Sequence, residues 1–208
     1  MDIEVIALHG GYANSYLLKD GDSALLIDPG YNEDHCLEKK IIESGCHLLG
    51  ILITHGHYDH FAGLKNWSLL PMPPIFFPKD DEECLENPVL NVSRLFEIEG
   101  TSLHLGFYPV EDEDEIAVGP FLLKAIATPF HTKGSVCYYD EFDHALFVGD
   151  TLFKDSIGRT DLPGGDESLI ASSLSKLAAL PEDTDVYPGH GEMTTIGHEV
   201  ANNPFFRS

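Results

Sequence analysis

Within the segment "THGHYDH", residues 54–60, three histidines and an aspartate fall in six positions: His55, His57, Asp59 and His60. Imidazoles at i and i+2 of an extended segment point the same way, so His55 and His57 can face one ion. Asp59 and His60 come a turn later and can reach a neighbouring ion as "DHFAGLKNW" turns into a helix. Such a cluster of ligand types seldom serves packing. Three further residues share its context: His131 in "TPFHTKGS", Asp150 in "LFVGDTLF" and His190 in "VYPGHGEM". Each follows an apolar strand and has Gly or Pro nearby, where the backbone can approach an ion. His9, His35, His47, His104, His144 and His198 lack that context and read as surface or internally satisfied residues.

These side chains need strands that end at one edge. In the first quarter, residues 3–8, 15–19 and 24–28 read as strands, the last two joined across Asp20-Gly21-Asp22. Residues 32–45 predict a helix with Asn32 as its cap and Gly45 at its end. "LLGILIT", apolar on both faces, follows as a buried strand leading into His55, which makes strand-helix-strand. The proline-rich and acidic middle predicts short strands at 75–77 and 105–109 and a helix near 80–86, with the acids of 111–115 in a loop. The second half then gives strands at 120–128, 135–140 and 145–150, a helix over 165–180, and a last strand at 185–187 before His190. Strands followed by helices, twice over, predict two sheets packed face to face with helices outside. No linker or composition break divides the chain, so residues 1–208 are expected to form one domain.

Composition excludes some partners. Lys+Arg number 12 against 35 Asp+Glu, a formal net charge of −23. Such a chain repels phosphate backbones and anionic membranes, so no nucleic acid or membrane is expected as a partner. No run approaches the roughly 18 apolar residues of a membrane span, and the start lacks the basic and apolar pattern of a signal peptide. Cys36, Cys46, Cys84 and Cys137 are scattered without a C-x-x-C pair, which predicts buried, reduced thiols in a cytoplasmic protein.

The segments T-H-G-H-Y-D-H, T-P-F-H-T, G-D-T-L-F and Y-P-G-H-G resemble, in order, the motifs of the metallo-β-lactamase superfamily. "GDTLFKDSIGRTDLPGG" and "PGHGEMTTIGHE" are similar to the hydroxyacylglutathione hydrolases (type II glyoxalases) and their short relatives. The resemblance implies an α/β (α+β) fold, the four-layer αβ/βα sandwich. It implies one ion held by His55, His57 and His131, a second held by Asp59, His60 and His190, and Asp150 bridging them. Nitrogen and oxygen ligands suit zinc foremost, with iron or manganese as alternatives. Arg159 falls where the family places a basic residue on glutathione, and Tyr138 matches a family tyrosine seven residues past the third histidine. Both are therefore expected to bind substrate, with Lys133 and Lys154 nearby to offset the acidic field. Two departures stand out. Phe130 replaces the small residue usual before the third histidine, which predicts a narrower pocket. The chain also ends 18 residues past His190, without the helical region by which longer glyoxalases grip glutathione.

Together these features predict a binuclear metal-dependent thioester hydrolase. A bridging hydroxide, held beside Asp59 and Asp150, would attack the carbonyl of a small-molecule thioester such as a glutathione conjugate. A carboxylic acid and a thiol would be released. A thiolate leaves readily because its pKa is roughly 8.5, so no general acid is required. The nearest alternative is a mononuclear iron persulfide dioxygenase of the same superfamily. A nuclease is disfavoured by charge, and a β-lactamase proper by the carboxylate at Asp150, which that group usually lacks. Flavodiiron oxygen reductases carry Glu where this chain has His57. From another class comes a non-catalytic metal-binding protein, but structural zinc sites are closed by four ligands and are often cysteine-rich.

Overall fold

The computed structural model describes residues 1–6, 12–96 and 100–207. β1 (Asp2–Ile6), β2 (Ser15–Asp20) and β3 (Ser23–Ile27) form an antiparallel meander. α1 (Cys36–Ser44) carries the chain across to β4 (His47–Leu52), which pairs parallel with β3. The N-cap of this helix is His35 and not Asn32, because a 3-10 turn, Glu33–His35, intervenes; Asn32 Oδ1 still accepts the Leu37 amide at 3.0 Å across that turn. Gly45 ends it in the left-handed conformation, φ 72°, that residues with a Cβ disfavour. β5 (Ile75–Pro78) and β6 (Tyr108–Val110) complete a six-stranded sheet in simple chain order.

The second sheet repeats the plan. β7 (Glu115–Val118), β8 (Phe121–Ala127), β9 (Val136–Asp140) and β10 (Ala145–Gly149) run antiparallel. A small hairpin, β11 (Leu152–Phe153) with β12 (Ser156–Ile157), precedes α2 (Ile170–Ala178). The chain returns as β13 (Asp185–Pro188), parallel to β10, then β14 (Thr194–Thr195) and α3 (Ile196–Asn202). The order is β14-β13-β10-β9-β8-β7.

Three apolar layers hold these elements. Between the sheets, Tyr16, Leu18, Leu25 and Leu52 meet Leu123, Val136, Tyr138 and Phe147. Outside the first sheet, Leu17, Leu26 and Ile51 pack on Leu37 and Ile41 of α1; outside the second, Cys137, Leu146 and Val186 pack on Leu174 and Leu177 of α2. Adjacent strand residues thus serve opposite layers, Leu17 outward and Tyr16 and Leu18 inward, which is why β2 reads as a continuous apolar run. Each fully buried Leu or Phe contributes roughly 1.5–3 kcal/mol. The result is the four-layer α+β sandwich.

Several elements differ from expectation. The first strand ends at Ile6, and residues 7 and 8 lie outside the described residues, as does His9. The ligand-bearing stretch forms two 3-10 turns, Tyr58–His60 and Ala62–Asn66, and Lys79–Leu85 is also 3-10 rather than α. β6 starts three residues later than the 105–109 strand expected. The acidic loop instead delivers β7, where Ile116 and Val118 are buried and Glu115 and Ala117 face out. All four cysteines are free, but only Cys84 and Cys137 are buried; Cys36 and Cys46 are half-buried. Among the described residues no helix is long and apolar enough to cross a membrane.

Candidate metal centre

β4 points its carboxyl end at one edge of the first sheet. In the second sheet β8, β10 and β13 all run the same way, because β8 and β10 flank β9 antiparallel and β13 is parallel to β10. His55 and His57 follow β4, His131 follows β8, Asp150 is the residue after β10, and His190 follows β13. The two sheets are tied at this edge: the Val136 amide donates to the Thr54 carbonyl at 2.9 Å, and the Tyr138 hydroxyl donates to Ile53 O at 2.7 Å.

The seven expected residues come together there. His55, His57 and His131 form one set of donor atoms within 4.8 Å of one another, and Asp59, His60 and His190 form a second. Asp150 lies between them. Its Oδ2 is 3.5 Å from His131 Nε2, while its Oδ1 is 3.3 Å from His60 Nε2 and 3.7 Å from His190 Nε2. His190 Nε2 also lies 3.1 Å from Asp59 Oδ2.

Surrounding hydrogen bonds fix the tautomers. A carbonyl only accepts, so the 2.7 Å contact between His131 Nδ1 and Arg159 O places the proton on Nδ1 and leaves Nε2 bare. His60 Nδ1 donates to the Asp28 carboxylate at 2.8 Å, which turns its Nε2 toward Asp150. The Thr54 hydroxyl donates to Asp28 at 2.7 Å and accepts from His55 Nδ1 at 3.2 Å. His57 Nδ1 lies 2.9 Å from the bare His131 Nε2, so a proton or a cation must sit between them. His55 Nε2, His60 Nε2 and Asp150 Oδ1 are buried and have no hydrogen-bond partner. Buried polar atoms left orphaned in this way cost free energy unless a ligand satisfies them. The residues fit dications.

Electrostatics separate the two sets. Burial, then the surrounding imidazoles, hold His55 well below the ordinary histidine value, and burial and His131 push His57 down to about 3. Both stay neutral, as a metal ligand must. Burial would also depress His60, but the carboxylates of Asp28, Asp150 and Asp59 outweigh it and raise it. Burial would raise Asp59 and Asp150, yet the imidazoles, His60 first, hold both below the usual carboxylate range. One set therefore offers only nitrogen donors, with His55 and His57 held neutral, while the other contains the carboxylate of Asp59 and the raised His60.

Asp28 joins the site although it was not among the residues expected there. It is 1% exposed and accepts from the Thr54 amide at 2.8 Å as well as from Thr54 Oγ1 and His60. Its signal was available: "LLIDPG" ends an apolar strand in Asp beside Pro-Gly, the context that singled out Asp150. Tyr138 is a correction. Its side chain is 0% exposed, sits between the sheets and gives its hydroxyl to Ile53, so it offers no surface to a substrate. Phe130 is another: it packs outside the second sheet with Leu174 and cannot narrow the site. Arg159 supplies its carbonyl to His131, while its exposed guanidinium is held by Asp161 at 2.5 and 2.7 Å. Lys133 and Lys154 are likewise paired, with Asp80 and Glu192. A cavity of about 460 Å³ is lined by Phe121 and Asp140 at the opposite end of the second sheet and contains none of the seven residues.

Two sheets in an αββα sandwich, with histidines and carboxylates converging where their strands end, define a metal-binding α/β protein of hydrolase type. The chain belongs to the metallo-beta-lactamase superfamily, whose family profile matches residues 9–190. It is 37% identical over 198 residues to the probable metallo-hydrolase YqgX of Bacillus subtilis, covering 93% of this chain and 92% of that one. It is 33% identical over 224 residues to the hydroxyacylglutathione hydrolase GloC of Haemophilus influenzae, covering 100% and 99%. Among solved structures, BLEG-1, a B3 metallo-beta-lactamase, superposes with a TM-score of 0.91 at 34% identity over 100% of both chains. TTHA1623 in a di-iron-bound form gives 0.84 at 32% identity over 97% and 99%.

Proposed function

We propose that this protein is a binuclear metal-dependent hydrolase of thioesters, with a hydroxyacyl conjugate of glutathione as the substrate class. The observation that carries this is Asp150, whose two carboxylate oxygens face different donor sets. His55, His57 and His131 would hold one ion and Asp59, His60 and His190 the other, with Asp150 shared. When bound, a pair of dications supplies an activated water and polarises the substrate carbonyl. The chain's own residues do the rest. Asp59 is the carboxylate nearest solvent of the pair, 16% exposed against 13% for Asp150. It is placed to accept the proton that the attacking water gives up. The thiolate needs no proton to leave.

The likeness to GloC spans nearly all of both chains, so a relative bearing the hydroxyacylglutathione hydrolase name has no long additional region. The di-iron form of TTHA1623 supports two ions on this fold. A second reading, hydrolysis of a β-lactam, rests on the full-length likeness to BLEG-1.

One experiment separates these readings. The purified protein is analysed for metal and then given a hydroxyacyl-glutathione thioester, a chromogenic cephalosporin, or glutathione persulfide with oxygen uptake followed. The expected result is about two ions per chain and thiol release with a kcat/KM of roughly 10⁴ M⁻¹s⁻¹ or more. Arg159→Ala is expected to raise KM for the glutathione thioester. Faster turnover of the cephalosporin would establish the second reading. One iron with oxygen uptake would replace both by the dioxygenase, and full metal with no turnover of any of them would indicate a non-catalytic protein.

A further inference from the structure

Asp81 lies in the 3-10 segment Lys79–Leu85 that follows β5, outside the ligand set, and is 3% exposed. Its Oδ2 accepts the Gly56 amide at 2.7 Å and the Thr132 hydroxyl at 2.6 Å, and its Oδ1 accepts the Gly134 amide at 2.7 Å. Gly56 stands between His55 and His57, and Thr132 is the residue after His131. One buried carboxylate therefore holds both loops that carry the all-nitrogen donor set. The loops press against it with no side chain between. A Cβ on Gly134 would lie 2.6 Å from Asp81 Cγ, and one on Gly56 would lie 2.9 Å from Asp81 Cβ and 2.5 Å from Cys84 Cβ. Burial pushes the Asp81 carboxyl up from its ordinary value, and the three donors resist that rise. All three partners offer it a proton, which is what an ionised, acceptor-only carboxylate requires. The distance that these two loops set is that between His57 Nδ1 and His131 Nε2, 2.9 Å.

We propose that Asp81 is a positioning residue that fixes the spacing of the two histidine loops and thereby the affinity of the His55, His57 and His131 set for a dication. The proposal rests on the metal reading given above. Outer groups that orient metal ligands typically govern affinity by 10–100-fold. Asp81 differs from those usual partners because it touches no imidazole and acts on backbone amides from two loops at once.

The test uses the full chain, stripped of metal and titrated with zinc against a chromophoric chelator. In Asp81→Asn, whichever way the amide turns, an NH2 group faces a donor that had been satisfied. Thr132→Val removes one hydrogen bond and leaves the two amides in place. Glu38→Gln is the control: that buried carboxylate holds the Ser68, Leu69 and Leu70 amides in a loop that carries no ligand. The wild type is expected to bind two zinc ions. Asp81→Asn should weaken one of them by roughly 10–100-fold and spare the other, and Thr132→Val should weaken the same ion by less. Glu38→Gln should lower the melting temperature and leave both affinities unchanged. Wild-type affinity for both ions in Asp81→Asn overturns the proposal, as does wild-type affinity in Thr132→Val if Asp81→Asn does not fold. A wild type that binds no zinc, iron or manganese overturns the metal reading itself, and this proposal falls with it.

Discussion

Asp28 and Asp150 occupy matching places, each the first residue beyond an apolar strand that a helix then links to a parallel neighbour. Their roles differ because their neighbours differ. Asp28 spends its oxygens on Thr54 and His60, and so fixes a ring from behind. Asp150 keeps Oδ1 without a hydrogen-bond partner and turned toward the imidazoles. Asp150→Ala is therefore expected to cut metal content from about two ions to below one per chain after gel filtration, while far-ultraviolet circular dichroism stays unchanged. Two ions retained would show that the carboxylate is shared by neither donor set.

Among the elements, those with one strong pattern were legible in the sequence, and those stabilised by tertiary contacts were not. β4 and β10 are buried on both faces, and their apolar runs need no context to be recognised. α2 shows helical spacing and stops before Pro181. β7 is four residues long and hides two of them, too weak a signal beside the acids that precede it. α3 is seven residues long and is held by partners distant in sequence. Glu199 accepts the Asp155 amide at 3.0 Å, and Asn203, just past its end, donates to Ser156 O at 3.0 Å. The helix thus braces the hairpin that follows Asp150. Tyr138 was misassigned for a related reason: its place in the motif order was right, but only the fold shows that its strand turns it between the sheets. Thr195 caps α3 by accepting the His198 amide at 3.2 Å. Thr195→Ala is expected to cost about 1 kcal/mol in urea unfolding, with metal content unchanged. A loss of metal in that variant would mean that α3 also supports the ligands.

Over the whole molecule, the formal charge is −23. Lys133, Lys154 and Arg159, the bases near the mouth, are each matched to a carboxylate, which leaves little net attraction for an anionic conjugate beyond what bound ions supply. Dications that bind only the folded chain stabilise it by RT ln(1 + [M]/Kd). Chelation at neutral pH is thus expected to lower the melting temperature by several degrees, roughly 2–4 °C for each kcal/mol lost in a chain of this size. An unchanged melting curve after complete metal removal would show that the edge is preformed and that bound ions add nothing to stability. The edge also has a history within each folding event. His57 and His131 are 74 residues apart, and Asp59 and His190 are 131 apart. Closing loops of that length is slow and entropically costly until the sheets have formed. The segment from Ala13 to Tyr16 then bonds to the carbonyls of Asp59, Gly189 and Pro188, fastening the loops of one sheet to those of the other. Metal capture is therefore expected to close folding and not to nucleate it.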